Sequence, residues 1–145
     1  MRSAVVRLLR SHGYRSLLGV VLDGLEVDVY GVKASRRGPR GLIVEMKVLY
    51  RDSIVRQVEA RRRLAHRVYV ALPDWSVYEA LSSLPDWVGI ITYDPCADEA
   101  QILRKAIPSK TILADLIATA VLEELGEAPG LNPRGGGRAW RMKRP

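Results

Sequence analysis

Two short runs of alternating apolar and polar residues, Leu25 to Tyr30 and Leu42 to Val48, flank a basic turn, Ala34 to Arg40. A period of two marks a β-strand with one face buried, and residues i and i+2 share a face. Two such runs on either side of a short polar link form an antiparallel hairpin. In the first strand Leu25, Val27 and Val29 share one face, and Glu26, Asp28 and Tyr30 the other. In the second, Leu42, Val44, Met46 and Val48 share one face, and Ile43, Glu45 and Lys47 the other. Matching the apolar faces gathers Glu26, Asp28, Glu45 and Lys47 on one side. The register this requires sets Asp28 opposite Glu45 or Lys47, and a one-residue slip would separate them.

Such a gathering is costly by itself. Two carboxylates about 5 Å apart repel by roughly 3 kcal/mol at an effective dielectric near 20. Either a proton is retained near neutral pH or a cation occupies the site. Lys47 offers one compensating charge, and a divalent metal offers two. Oxygen-only ligation suits Mg²⁺, with Mn²⁺ as a substitute, rather than zinc. A metal held by one or two carboxylates keeps positions open for water and a substrate phosphate.

The remainder reads as an α/β chain. Ser3 can cap a first helix carrying Val5, Leu8, Leu9 and His12 at helical spacing, and Gly13 ends it. Residues 15–22 form a strand, and Asp23-Gly24 is a two-residue hairpin turn into the strand Leu25 to Lys33. A third strand, Gly41 to Val48, precedes a helix with Ile54, Val58, Arg61 and Ala65 in phase, capped by Asp52 or Ser53. Arg67 to Leu72 is a buried strand ended by Pro73, Asp74 caps a short helix, and Val88 to Tyr93 is a further strand. Strand, helix, strand at this spacing is a crossover between parallel neighbours. Helices are expected near 97–106 and 109–125. From Glu127 onward Pro, Gly and Arg dominate, which reads as a flexible basic tail after one domain spanning 1–126.

Charge is unevenly distributed. Residues 1–72 hold 15 Lys/Arg and 6 Asp/Glu, a net of +9, and residues 73–130 a net of −7. The basic half favours a polyanionic partner. Arg36, Arg37 and Arg40 on the turn, and Arg56 and Arg61 on the following helix, are candidate phosphate contacts, since Lys and Arg supply most sequence-independent affinity for nucleic acid. A lone cysteine, Cys96, excludes an intrachain disulfide and any multi-cysteine metal site. Charged residues interrupt every apolar run, so a soluble, cytoplasmic protein without a membrane segment is expected. One Asn and two Gln among 145 residues fit a thermophile.

Asp28, the basic loop and then Glu45-Met46-Lys47 resemble the D…ExK signature of the PD-(D/E)XK, or restriction-endonuclease-like, nucleases. The order of elements over roughly residues 1–94 is similar to that family's core: a mixed central sheet with an antiparallel hairpin and a parallel strand–helix–strand crossover, flanked by helices. The resemblance implies that Asp28 and Glu45 bind Mg²⁺ with the backbone carbonyl of Met46, and that Lys47 positions the attacking water. Archaeal Holliday-junction resolvases and RecB-like nucleases add a glutamine on the next helix, which Gln57 matches. Glu26 stands in for an acid that resolvases carry on the first helix. DNA is the implied substrate. The apolar stripe Ile112, Leu113, Leu116, Ile117, Ala120, Val121 and Leu125 either caps the sheet or pairs with a second copy, and duplex-cutting members are often homodimers.

Other residues carry quieter expectations. His12 and His66 end helices with no partner in sight. Cys96 reads as a small buried residue, and Trp75 and Trp87 as core packing around the short helix. Trp140, in the tail, is a weak candidate for stacking on a base.

Overall fold

A computed structural model describes residues 1–126 of the chain. The expected tail, with Trp140, lies outside the described residues. Helix α1 (Arg2–Ser11) leads into β1 (Arg15–Leu22), β2 (Leu25–Lys33) and β3 (Arg40–Met46). Helix α2 (Ser53–Arg61) continues through a 3₁₀ turn into β4 (Arg67–Pro73), and α3 (Val77–Ser83) leads to β5 (Gly89–Asp94), β6 (Glu99–Arg104) and α4 (Ile112–Gly126). The six strands lie side by side in chain order. β1, β2 and β3 pair antiparallel, β3, β4 and β5 parallel, and β6 returns antiparallel to β5.

The alternation seen in the sequence sorts side chains between the faces. On one face Val5 and Leu9 of α1 pack with Val29, Leu42, Val44, Tyr69, Ala71 and Ile91. On the other, Ile54 and Val58 of α2 pack with Val68, Val70 and Leu72 of β4. Beside them Ile117, Ala118 and Val121 of α4 cover Leu17, Tyr30, Val32 and Ile43. Of the two roles open to the α4 stripe, capping the sheet takes Ile117 and Val121, with Leu113 and Leu125 partly buried against the same core. Each large apolar side chain so buried contributes about 1.5–3 kcal/mol. Ile112 and Leu116 stay exposed.

Several local expectations are corrected. The first helix starts at Arg2 with Met1 in the capping position, so Ser3 lies inside it. Asp52 holds the capping position of α2 without a side-chain hydrogen bond. The helix expected at 97–106 is instead strand β6, paired through Asp94↔Glu99 and Ile91↔Ile102. The reason is a tight turn: Asp94 Oδ1 accepts from the backbone of Cys96 and Ala97, and Asp98 takes φ +51°. The chain thus doubles back, and Ala100, Ile102 and Arg104 turn inward at a period of two. That turn leaves Cys96 exposed rather than buried. Trp75, on the 3₁₀ turn before α3, is likewise exposed, while Trp87 packs against the core with Arg62 over its ring.

Candidate functional site

Glu45 lies near the carboxyl end of β3, in register with Val70 of β4. An interior strand leaves its side chain little water, and the residue is 3% exposed. The register that pairs Val29 with Val44 carries Asp28 to the position facing it. The Asp28 backbone N–H donates to Glu45 Oε2 at 3.4 Å, and the Met46 N–H donates to Asp28 Oδ2 at 2.8 Å. The two carboxyl groups therefore share one side of the hairpin. Burial pushes the Glu45 carboxyl up to about 7, its hydrogen bond with Asp28 adds to the rise, and Arg61 opposes it.

Arg61 closes the site from above. Its Nε forms an ion pair with Glu45 Oε1, with side chains only 13% and 4% exposed. Its Nη1 donates to the Gln57 carbonyl at 2.8 Å and its Nη2 to the Glu26 carbonyl at 2.9 Å. One planar fork thus ties α2, the hairpin and the carboxylate together. The expectation of Arg61 as a phosphate contact is corrected, because its guanidinium is taken up by Glu45 and two backbone carbonyls. Arg56 on the same helix is exposed.

Lys47 follows β3 directly, and its N–H donates to the Ala71 carbonyl at 2.9 Å, extending the pairing with β4. Lys47 and Gln57 line one cleft of about 330 Å³ with Leu49, Arg51, Ser53 and Ile54. The cleft opens at the carboxyl ends of parallel strands, where open α/β sheets characteristically bind ligands. Asp28 and Glu45 lie outside its lining.

Glu26 does not join the carboxyl pair. It is exposed, and among the described residues no three His, Cys, Asp or Glu side chains converge. Strict alternation fails at this point of the hairpin. Leu18↔Val29 and Val20↔Val27 flank Gly19, whose φ is +58°, a value that favours glycine. Val27 and Val29, two apart, consequently pack into different cores.

The turn arginines lie at the opposite end of the hairpin from the carboxyl pair. Arg36, Arg37 and Arg40 belong to the end of the hairpin where Lys33 pairs with Arg40, whereas Asp28 and Glu45 occupy the other end. Arg40 and Glu45 are separated by roughly 17 Å along an extended strand.

At that far end the structure assembles a group the sequence did not reveal. His66 is buried, not partnerless: its Nδ1 accepts from the Gly41 N–H at 3.0 Å and its Nε2 lies 2.6 Å from Asp115 Oδ1. An accepting Nδ1 places the ring proton on Nε2, which donates to Asp115. The hydrogen bond from His66 holds the Asp115 carboxyl below its usual range, with Arg40 adding to the effect. His66, on the link before β4, and Asp115, on α4, are 49 residues apart, so no local pattern announces them.

Carboxyl groups set side by side are hard oxygen donors. That is the donor chemistry of Mg²⁺ and Mn²⁺ sites. With Oε1 of Glu45 taken by Arg61, Oε2 and the Asp28 carboxylate are the donors a divalent ion would use, so the residues fit such an ion.

No family model and no curated protein matches the chain. Among solved structures it is similar to a protein of unknown function from Silicibacter pomeroyi, with a TM-score of 0.63 and 26% identity over 92% of this chain and 90% of that one. The likeness bears on the fold, an α/β arrangement around a mixed sheet. No helix of the described residues is long and apolar enough to cross a membrane.

Proposed function

We propose that the chain is a metal-dependent DNA endonuclease that hydrolyses phosphodiester bonds by direct attack of water. The observation that carries this reading is the Asp28–Glu45 pair, set side by side next to the cleft that Lys47 and Gln57 line. Held by Asp28 and Glu45, Mg²⁺ or Mn²⁺ would polarise a phosphoryl oxygen and lower the pKa of water. Lys47 brings positive charge to the cleft, where negative charge grows on the phosphoryl oxygens during displacement. Gln57 offers both a donor and an acceptor to hold the attacking water in line. Arg61 fixes Oε1 of Glu45 and so aims Oε2 at Asp28. The exposed Arg56 supplies sequence-independent attraction for a phosphate backbone.

The test is a cleavage screen with the full chain in Mg²⁺ over plasmid, single-stranded, flapped and four-way-junction DNA. Cutting of at least one substrate by the native protein, lost in Asp28→Ala and Lys47→Ala, is the expected result. Cutting that survives Asp28→Ala, or no cutting of any substrate, overturns the reading.

The Arg61–Glu45 ion pair favours a second reading, a nuclease-fold module that binds DNA without cutting it, because Arg61 already supplies a charge that a metal would bring. A Mg²⁺ titration followed by melting temperature separates the two, since a ligand bound only by the folded state must raise it. The binding module shows no rise, yet binds DNA with a steep salt dependence.

A further inference from the structure

We propose that the cavity at the turn end of the β2–β3 hairpin is a phosphate-binding site, separate from the carboxylate pair and independent of the nuclease reading. The cavity measures about 370 Å³, within the range of small-ligand pockets. Lys33, Arg37, Arg40, Arg67 and Lys110 all line it, with Tyr14 and His66. The carboxylate that bonds to this lining is Asp115, which accepts from both His66 and Arg40. Among the described residues, five cations line the cavity and the one carboxylate bonded to them is Asp115, which leaves the cavity positive.

The pairing of the strands makes that accumulation costly. Lys33 and Arg40 sit directly opposite each other in the antiparallel register, and like charges in that relation destabilise a sheet. The structure holds three of the cations, Lys33, Arg40 and Arg67, in place instead of dispersing them. Lys33 Nζ donates to the His12 carbonyl at 3.2 Å and lies 4.5 Å from the centre of the Tyr14 ring. Arg67 Nη1 donates to the Ala106 carbonyl at 2.6 Å, and Arg40 is held by Asp115 at 3.4 Å. Each tether uses part of the side chain's donor set and leaves other N–H groups to a ligand. Side chains fixed in advance lose little entropy on binding. Guanidinium groups match phosphate oxygens in paired hydrogen bonds, and a phosphate monoester carries about two negative charges to meet them.

Inorganic phosphate, a nucleotide and the 5′ end of a DNA strand all present this group. Calorimetric titration of the full chain with inorganic phosphate, at constant ionic strength against chloride, tests the site. We expect saturable binding that weakens at least tenfold in Arg40→Ala and about threefold in Arg37→Ala/Lys110→Ala, whose side chains are exposed and leave the fold intact. Lys47→Ala should bind phosphate as the native protein does, which separates this cavity from the cleft near Glu45. Titrating adenosine monophosphate, and an oligonucleotide with and without a 5′ phosphate, identifies the source. Tighter binding of the phosphorylated strand assigns strand ends, and equal binding of both strands with retained nucleotide binding assigns the free nucleotide. No saturable phosphate binding, or the same affinity in both cavity variants as in the native protein, overturns the proposal.

Discussion

Arg61 and Glu45, sixteen residues apart in sequence, meet as a buried ion pair that joins the last turn of α2 to the interior of the sheet. Removing one member of such a pair leaves the other charge buried and uncompensated, at a cost of about 3–5 kcal/mol. Arg61→Met should lower the urea-unfolding free energy by about that amount at pH 8. Arg61→Lys should rescue only part of it, because an ammonium cannot reproduce a fork that also spans the Gln57 and Glu26 carbonyls. A loss below about 1 kcal/mol in Arg61→Met would show that the pair is not buried in solution.

The raised Glu45 carboxyl predicts a pH dependence of stability with a definite sign. Its value rises from an ordinary 4.5 in the unfolded chain to about 7 in the folded one. Below pH 4.5 both states hold the proton and its contribution is fully present. Between 4.5 and 7 only the folded state keeps the proton, so stability falls as pH rises, by on the order of 3 kcal/mol in all. Glu45→Gln cannot titrate, and the difference between the two urea-unfolding profiles across pH 4 to 8 isolates this group. Parallel profiles would contradict the assignment.

In the cleft, Lys47→Ala should reduce the cleavage rate at least about a hundredfold, the scale of losing one electrostatic contact to developing charge. Gln57→Ala should cost about tenfold, as expected for a group that orients water. Melting temperatures measured alongside should stay at the native value, since both side chains face an open cleft.

Gly41 is confined by its neighbour on β2. A Cβ there would drive into the hydroxyl and ring of Tyr30, which is fully buried. Gly41→Ala should therefore destabilise by about 1–3 kcal/mol through overpacking. Among the described residues the Tyr30 hydroxyl has no hydrogen-bond partner, so Tyr30→Phe should be neutral or stabilising, and should recover part of the loss when combined with Gly41→Ala. Thermal denaturation of the three variants checks this, and strict additivity would refute the contact.

His66→Ala would strip the Gly41 N–H of its acceptor and Asp115 of a donor. A buried donor left unsatisfied costs about 1–3 kcal/mol, measurable by chemical denaturation. His66→Asn, which offers both an acceptor and a donor, should retain more stability than the alanine variant.

Much of the architecture was legible in the residues because it depends on short-range periodicity. Alternation in Leu25–Tyr30 and Leu42–Val48 marks two strands, and the register that buries their apolar residues sets Asp28 across from Glu45 or Lys47, of which the structure has Glu45. Residues 97–106 form a strand and not the expected helix because Ala100, Ile102 and Arg104 point inward two apart and the Asp94–Asp98 turn reverses the chain onto β5.

The residues by themselves determined the α/β class, the hairpin and the proximity of Asp28 to Glu45 across it, since each follows from patterns a few residues long. Only the tertiary structure decided that Arg61, in phase with the buried stripe of α2, meets Glu45, that Glu26 stays out, that His66 meets Asp115 and that the turn arginines border a basic cavity instead of the carboxylates. Those outcomes depend on where distant elements are carried by strand pairing and by the bend at Gly19, and no local periodicity encodes the distance between segments that meet only when the sheet is complete.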